Sequence, residues 1–291
     1  EPCSHQGRTP SCADALIRTG LARVVAAGPD PNPQVNGQGF ERMAAAGIRV
    51  DTGLMQAQAE ALNAGFFKRM RSDRPWIRVK LALSLDGKAS LANGVSQWIT
   101  GPAARADVQQ WRARSSAIMT GVETVLADDP SLNVRLDGCE RQPLRVIVDS
   151  RWRTPASAAT LKLPGTVLIA GLESNEIPPG VRDNGPELLR LPANAEGRVD
   201  LHALTAALAE RALNEVHVEA GPTLAGALLD AELVDELLLY QAPLLLGSGA
   251  RDAFVLPPIQ EMSQRQHLQK LDSVVLGDDL RLRFRPEYRE N

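Results

Sequence analysis

The feature that most constrains the fold is a regular alternation of strand-like and helix-like segments. Short apolar runs predict six strands, at residues 76–83, 116–120, 144–149, 166–170, 215–219 and 233–241. Helical spacing of apolar residues predicts helices at residues 102–114, 121–127, 201–213 and 222–231. Such alternation indicates an α/β domain with a mostly parallel mixed sheet, because parallel strands need crossover connections. The β-rich tail, residues 273–284, has a turn signal at its centre and predicts an antiparallel pair near one end of the sheet.

The first part of the chain predicts a smaller α/β domain. Strands are expected at residues 23–27 and 48–50, and helices at residues 40–46 and 56–70. Polar residues 71–75 end in a proline and are typical of a linker. We therefore expect two domains, residues 1–73 and residues 74–291.

Composition excludes several classes of protein. The 291 residues are 44% hydrophobic and carry 32 basic and 35 acidic side chains, so a globular protein without a nucleic-acid partner is expected. The longest apolar stretch, residues 237–250, is too short and too interrupted to span a membrane. Three cysteines cannot form a disulfide framework, which favours a reducing compartment, the cytoplasm.

Two cysteines near the start of the chain are candidate zinc ligands. Cys3 follows a proline and Cys12 opens a helix, which is the second half of the H-x-E … P-C … C pattern of zinc deaminases. The first half is not found upstream, and the later His217-Val218-Glu219 is in the wrong order. We expect a chain cut at its N-terminus that lacks a zinc ligand and the proton-shuttling Glu, and so does not deaminate. The alternative is two unrelated small thiols.

A strand-to-helix turn after Glu219 is a candidate phosphate site. Gly221 opens the helix, where free N–H groups and the helix dipole favour an anion. We expect Gly221 to adopt a backbone conformation that a β-carbon disfavours, so that a phosphate reaches the main chain. The alternative is a plain turn with no ligand.

One tryptophan and two arginines complete the residues singled out by their type and position. Trp98 lies in a polar loop, where it either covers a flat ligand or fills core. Arg112 and Arg135 follow or end predicted helices, where they either clamp a phosphate or are simply solvated.

Taken together, these motifs resemble the bifunctional riboflavin-biosynthesis deaminase–reductase family over nearly the whole chain. The matching segments are residues 2–12, 80–87, 96–101, 124–130 and 235–247. The resemblance implies a cytidine-deaminase-like domain, here partial, followed by a reductase domain of dihydrofolate-reductase-like fold. It also implies NADPH-dependent reduction of the ribosyl group of 5-amino-6-(5-phosphoribosylamino)uracil to ribityl, and a zinc-dependent deamination of the preceding pyrimidine.

The resemblance assigns site residues by motif. It implies NADPH contacts at Ala82, Trp98, Thr124, Asp128, Ser150, Gly221, Pro222, Thr223, Leu224, Ala225, Gly226 and Ala227. The implied substrate contacts are Ser96, Arg112, Leu132, Arg135 and Glu219, and the implied zinc ligands are Cys3 and Cys12. The substrate is a small phosphorylated pyrimidine, and no residue is implied as the proton donor of the reduction.

Two other functions stay open at the level of sequence. One is an intact zinc-dependent pyrimidine deaminase, a hydrolase, and the other is a non-catalytic nucleotide-binding remnant. The apolar residues 237–246 also suggest a homodimer through the reductase domain.

Overall fold

The computed structural model describes residues 1–6, 9–183 and 185–289. It divides into two compact units, Glu1–Arg74 and Pro75–Asn291. The division falls one residue after the boundary predicted from the linker.

The first unit is built on a short parallel strand pair. Its elements are α1 (Cys12–Arg18), β1 (Arg23–Ala26), α2 (Gln38–Ala45), β2 (Arg49–Thr52), α3 (Gln56–Leu62) and α4 (Ala64–Ser72). Strands β1 and β2 pair in parallel, and Ala13, Met43 and Ile48 form the buried core. The predicted single helix 56–70 is wrong, because Asn63 leaves helical geometry (φ −116°, ψ 27°) and separates α3 from α4. Its side-chain amide instead donates to the Ala59 carbonyl.

The second unit contains a nine-stranded sheet. Its first half comprises β3 (Trp76–Leu83), β4 (Lys88–Ser90), α5 (Pro102–Arg114), β5 (Ala117–Gly121), α6 (Val122–Asp128), β6 (Leu144–Val148), α7 (Ala159–Lys162), β7 (Val167–Leu172), α8 (Pro179–Arg182) and β8 (Glu187–Leu191). Its second half comprises α9 (Leu201–Glu210), β9 (Glu215–Glu219), α10 (Pro222–Asp230), β10 (Glu236–Gln241), β11 (Arg251–Asp252), the 3-10 turn Met262–Gln264, β12 (His267–Leu276) and β13 (Asp279–Glu287).

The strand order of this sheet is β12-β13-β10-β3-β9-β5-β6-β7-β8. Every neighbouring pair is parallel except β10–β13 and β12–β13, so the predicted mostly parallel mixed sheet with an antiparallel end is confirmed. Strand β10 is paired on both sides, with β3 and β13. The backbone hydrogen-bonding groups of this strand are therefore used inside the sheet, and a dimer through residues 237–246 stays a prediction. The sheet edge on that side is β12.

The two faces of the sheet differ in chemistry. Alternate residues of β3, including Ile77 and Val79, pack with α9 and α10 in the largest apolar core. The other face, beneath α5, contains ionised groups. Arg78 is only 2% exposed, and it donates to Glu215 (3.1 Å) and Glu236 (3.2 Å) while its guanidinium stacks over Trp111. The buried guanidinium of Arg78 is thus paired with two carboxylates, which is the condition for leaving water without a large penalty.

No helix within the described residues combines the length and the apolar character that crossing a membrane requires.

Candidate active site

The candidate site lies at the carboxyl ends of β3, β9 and β5. Strand β9 comes late in the chain and inserts between β3 and β5, and the connections on its two sides run in different directions along the sheet. Such a switch in strand order opens a crevice beyond the strand ends, where ligands of parallel α/β sheets bind. Of the residues implied by the resemblance, Ala82 lies near the end of β3 and Glu219 is the last residue of β9.

Glu219 is held in a bidentate ion pair. Arg112, near the end of α5, donates from Nε to Oε1 (2.5 Å) and from Nη2 to Oε2 (2.9 Å). Its Nη1 donates to the Asn133 carbonyl (2.8 Å). Burial alone would raise the pKa of Glu219, but Arg112, His217 and Lys80 hold that pKa well below its usual range. The site therefore contains a fixed carboxylate, and most donors of Arg112 are already bound within the protein.

Lys80 and His217 are site residues that the sequence reasoning did not assign. Lys80 lies on the same face of β3 as Arg78, and burial lowers its pKa while Glu219 opposes that shift. His217 is fully buried on β9, with Nε2 3.4 Å from Glu219 Oε1, and burial lowers its pKa so that the ring is neutral. A charged residue at alternating positions of an otherwise apolar strand is the sequence signal that would have identified Lys80.

Arg135 is the more available of the two predicted phosphate-binding arginines. Its side chain is exposed and makes one long contact, 3.4 Å, with Asn133 Oδ1. Burial and the positive charge of Arg112 lower the pKa of Arg135, and the negative charge of Glu219 raises it. Arg135 therefore lies close enough to the Arg112–Glu219 ion pair to interact with both charges. Leu132, another implied substrate contact, is 2% exposed and adopts φ 48°. Only its backbone is therefore positioned to meet a ligand.

The glycine turn differs from the expectation in one respect. Gly221 has φ −70° and ψ 175°, a conformation that any residue adopts. The prediction that its backbone conformation disfavours a β-carbon is therefore wrong. A β-carbon built there has no atom within 4 Å, which shows open space at the start of α10. The crowded glycine is Gly226, where a β-carbon would lie 2.0 Å from the Val255 carbonyl oxygen. The turn thus offers unobstructed N–H groups at a helix N-terminus.

The remaining implied cofactor contacts surround this turn. A β-carbon built on Gly121 would lie 3.6 Å from the Leu224 side chain on α10. Gly121 directly precedes α6, so Thr124 and Asp128 of α6 lie in the same region as the start of α10. Partial burial raises the pKa of Asp128. The Ser150 hydroxyl accepts from the Val199 N–H (3.0 Å), so that hydroxyl already has a structural partner.

The loop before α5 places the last two implied contacts. Ser96 is half-buried in it, and Trp98 is 69% exposed. Arg105 stacks over the Trp98 ring at 4.6 Å and donates to the Thr100 carbonyl. Trp98 therefore does not fill core, and its other ring face is free for a flat ligand.

The predicted zinc ligands lie together in the first unit. The Cys3 carbonyl accepts from the Ser11 hydroxyl (3.0 Å) and from the Ala13 N–H (3.1 Å), which holds the Cys3 backbone against the start of α1. The Cys3 side chain raises the pKa of Cys12 by a hydrogen bond and by charge repulsion. Gly7 and Arg8 of the same motif lie outside the described residues. Among the residues that are described, no group of three His, Cys, Asp or Glu side chains is suited to hold a metal.

Known proteins resemble this chain over nearly its whole length. Residues 75–282 match the RibD C-terminal domain family. The riboflavin biosynthesis protein RibD of Escherichia coli is 47% identical over 294 residues, which cover 96% of this chain and 78% of the relative.

Two solved structures share the fold. Acinetobacter baumannii RibD (form 1) superposes with a TM-score of 0.90 at 42% identity, covering 99% of this chain and 79% of that one. A diaminohydroxyphosphoribosylaminopyrimidine deaminase/5-amino-6-(5-phosphoribosylamino)uracil reductase of Thermotoga maritima gives 0.84 at 27% identity, covering 98% and 77%. The chain therefore belongs to the RibD family of riboflavin biosynthesis proteins, and residues 75–282 are its RibD C-terminal domain.

Proposed function

We propose that the second unit reduces the ribosyl group of 5-amino-6-(5-phosphoribosylamino)uracil to ribityl with NADPH. The chain is an oxidoreductase of riboflavin biosynthesis, as its family membership implies. The observation that carries the finer proposal is the meeting of two groups at neighbouring strand ends. One is the open N-terminus of α10, and the other is the ionic cluster of Lys80, Arg112, Arg135 and Glu219.

The residues around α10 fit a dinucleotide. The open space at Gly221 lets a phosphate approach the N–H groups of the first helical turn, where the helix dipole favours negative charge. The exposed ring of Trp98 provides a flat apolar surface for a base or nicotinamide ring. NADPH bound there would supply the hydride of the reduction.

The ionic cluster fits the substrate. Arg135 is placed to bind the 5-phosphate, because its guanidinium has one weak partner among the residues that the structure describes. Glu219 is ionised and accepts hydrogen bonds from hydroxyl or amine donors of the substrate. Lys80 donates to substrate oxygens. The carboxylate of Glu219, which Arg112 already holds in place, orients a polar substrate with little reorganisation when it binds.

Loss of NADPH absorbance in the presence of the pyrimidine substrate tests this proposal. We expect cofactor oxidation, with a product that mass spectrometry finds heavier than the substrate by two hydrogens. Cofactor oxidation at the same rate without the pyrimidine would contradict the proposal. Binding of NADPH without turnover would instead favour a non-catalytic nucleotide-binding remnant.

We propose that Cys3 and Cys12 of the first unit supply two of the thiolate ligands of a zinc deaminase site. Their adjacency supports the proposal. A productive site needs a third ligand and a proton-shuttling carboxylate, and neither joins these thiols among the described residues. We therefore expect the 291-residue chain to retain less than one equivalent of zinc after dialysis and to release no ammonia from the preceding pyrimidine. Stoichiometric zinc with ammonia release would contradict this expectation.

We also propose a homodimer formed through the second unit, in the cytoplasm. Strand β12 is a sheet edge, and Leu268 and Val275 on it are 40% and 69% exposed. Exposed apolar edge strands favour pairing with another chain. The three cysteines are free thiols, as a reducing compartment requires. Light scattering during size-exclusion chromatography tests the dimer, and a concentration-independent monomer mass would contradict it.

A further inference from the structure

The ammonium of Lys80 is a charged group that the protein leaves incompletely coordinated. Within residues 1–6, 9–183 and 185–289, it forms no hydrogen bond and no ion pair of contact length, although Glu219 and Arg112 act on it electrostatically. Lysine side chains have four rotatable bonds and lose much conformational entropy when they are fixed. Something else must therefore restrict Lys80 if it is to meet a substrate in one position.

The aromatic ring of Tyr240 is the neighbour placed to do this. Tyr240 lies on β10, which pairs with β3. Leu238 is opposite Lys80 in this pairing, so Tyr240 lies two residues further along β10 and on the same face of the sheet as Lys80. The Lys80 Nζ lies 6.0 Å from the Tyr240 ring centroid, at the outer limit of a cation–π contact. Tyr240 is completely buried, so the ring cannot turn away into solvent.

Asp107 on α5 fixes that ring. Its Oδ2 accepts the Tyr240 hydroxyl hydrogen bond (2.6 Å) and one from Trp111 Nε1 (3.0 Å). Arg281 on β13 donates to both oxygens of Asp107 (3.1 and 3.2 Å). Burial and the bond to Asp107 raise the pKa of Tyr240 above its usual value, so the phenol stays neutral and its ring face stays attractive to a cation.

We propose that Tyr240, anchored by Asp107, is a positioning residue that holds the Lys80 ammonium toward the substrate. This assignment rests on the proposed reductase function, because it gives Lys80 a substrate to meet. The charged groups that face Lys80 are Glu219 from β9 and Arg112 from α5. Neither restricts the side chain by direct contact, and this leaves the Tyr240 ring as the element that does.

Two substitutions separate the ring from its hydroxyl. Tyr240→Phe keeps the ring, and Tyr240→Met fills a similar space without one. Loss of a cation–π contact is expected to raise the pyrimidine KM of the Met variant about three- to thirtyfold. In the Phe variant the ring loses the hydrogen bond to Asp107 but keeps its buried packing, so its pyrimidine KM should rise by no more than about threefold. The NADPH KM of both variants should be unchanged. Equal pyrimidine KM values for the Phe and Met variants would overturn the proposal.

A second readout does not depend on turnover. The chain has five lysines, so labelling the lysine Cε carbons with ¹³C gives five signals whose pH titrations NMR can follow. Lys80→Met assigns the Lys80 signal. Because the ring stabilises the charged amine, the pKa of Lys80 should be lower in Tyr240→Met than in Tyr240→Phe. If the Met variant does not fold, Tyr240→Leu replaces it.

The proposed function and the positioning role of Tyr240 are contradicted by different results. A parent protein that does not oxidise NADPH with the pyrimidine defeats the proposed function, while the Lys80 titration still tests the positioning role. An identical or higher pKa of Lys80 in the variant without a ring would overturn the positioning role even in a fully active enzyme.

Discussion

At the scale of single residues, the Arg112–Glu219 pair determines what the site can bind. Two charges joined by a bidentate contact inside a protein stabilise each other, and removing either one leaves the other unpaired. A ligand that enters beside them meets a charge distribution already fixed in place. Arg112 therefore serves first to keep Glu219 ionised, which is why the proposed phosphate contact is assigned mainly to Arg135.

The two arginines should respond differently to replacement by alanine. Arg135→Ala loses a charge-assisted phosphate contact of ~1.5–3 kcal/mol, so the pyrimidine KM should rise roughly ten- to a hundredfold with Tm unchanged. Arg112→Ala leaves Glu219 uncompensated, so Tm should fall by several degrees and kcat should fall as well. Steady-state kinetics and thermal melts measure both variants. Arg211→Ala, a change of an exposed arginine directly after α9, is the control. A substrate KM of Arg135→Ala within twofold of the parent removes Arg135 from the phosphate site.

The sequence identified most of these residues by position but not by contact. Glu219 was recognisable as a strand-end carboxylate, and Arg112 as a basic residue near a helix end. Their bidentate pairing could not be derived, because it joins residues 107 positions apart across a helix and a strand. Lys80 and Tyr240 were missed for the same reason, since their meeting depends on the register of β3 against β10.

At the scale of helices and strands, periodicity predicted the regular sheet well and the irregular segments poorly. Parallel strands such as β7 are continuous apolar runs, so their positions follow from the sequence, although β7 extends to Leu172 where the prediction ended at residue 170. The break at Asn63 and the short helices α7 and α8 were not predicted, because segments of four to seven residues carry too few positions for a periodic signal. Strand β12 begins six residues earlier than the predicted tail because its polar residues pair with β13 at a sheet edge.

The glycines of α10 offer a matched test at this scale. Gly221→Val should weaken NADPH binding with Tm unchanged, because its backbone suits any residue and the space beside it is open. Gly226→Ala should lower stability by ~1–3 kcal/mol, because its β-carbon would meet the Val255 backbone. Fluorescence titration of NADPH and thermal melts, run on both variants, separate the two effects. An unchanged cofactor Kd in Gly221→Val would leave that turn with a purely structural role.

The turn after β3 predicts a pH dependence. The Asp86 carboxylate accepts hydrogen bonds from the Ser84 hydroxyl (2.5 Å) and from the Leu246 and Gly247 N–H groups (3.1 and 2.8 Å). These bonds, that of Ser84 first, lower the pKa of Asp86 from 3.8 to about 2. A carboxyl group whose pKa is lower in the folded than in the unfolded protein stabilises the fold at any pH above its unfolded-state pKa. This stabilisation is lost as the pH falls through the folded-state pKa.

Asp86→Asn should therefore melt below the parent at neutral pH, and the difference should shrink between the unfolded value of 3.8 and the folded value of about 2. Thermal melts across this range measure it. A difference in Tm that is constant with pH would show that the carboxylate charge does not hold the 244–247 loop.

At the scale of the whole molecule, the residues of the proposed reduction all belong to one unit. The proposed NADPH and substrate contacts run from Lys80 to Ala227, inside Pro75–Asn291, and the family match spans residues 75–282 of the same unit. That unit has its own large apolar core and a continuous nine-stranded sheet. The polar, proline-ended residues 71–75 predicted a boundary at residue 73, and the two compact units divide after Arg74, although residues 71 and 72 belong to α4 and not to a linker.

A chain of residues 75–291 alone should therefore fold and keep reductase activity. We expect its kcat/KM for the pyrimidine and its NADPH Kd to stay within about threefold of the 291-residue chain, because no proposed contact lies before Lys80 and the residues of the large apolar core all belong to the second unit. Circular dichroism establishes folding, and NADPH oxidation establishes activity. Lys80→Met in the shortened chain is the control, since it should lower activity as much as it does in the full chain. A folded fragment that binds NADPH but has lost more than tenfold in kcat/KM would show that Glu1–Arg74 contributes to the reduction, and the assignment of the whole site to one unit would be wrong.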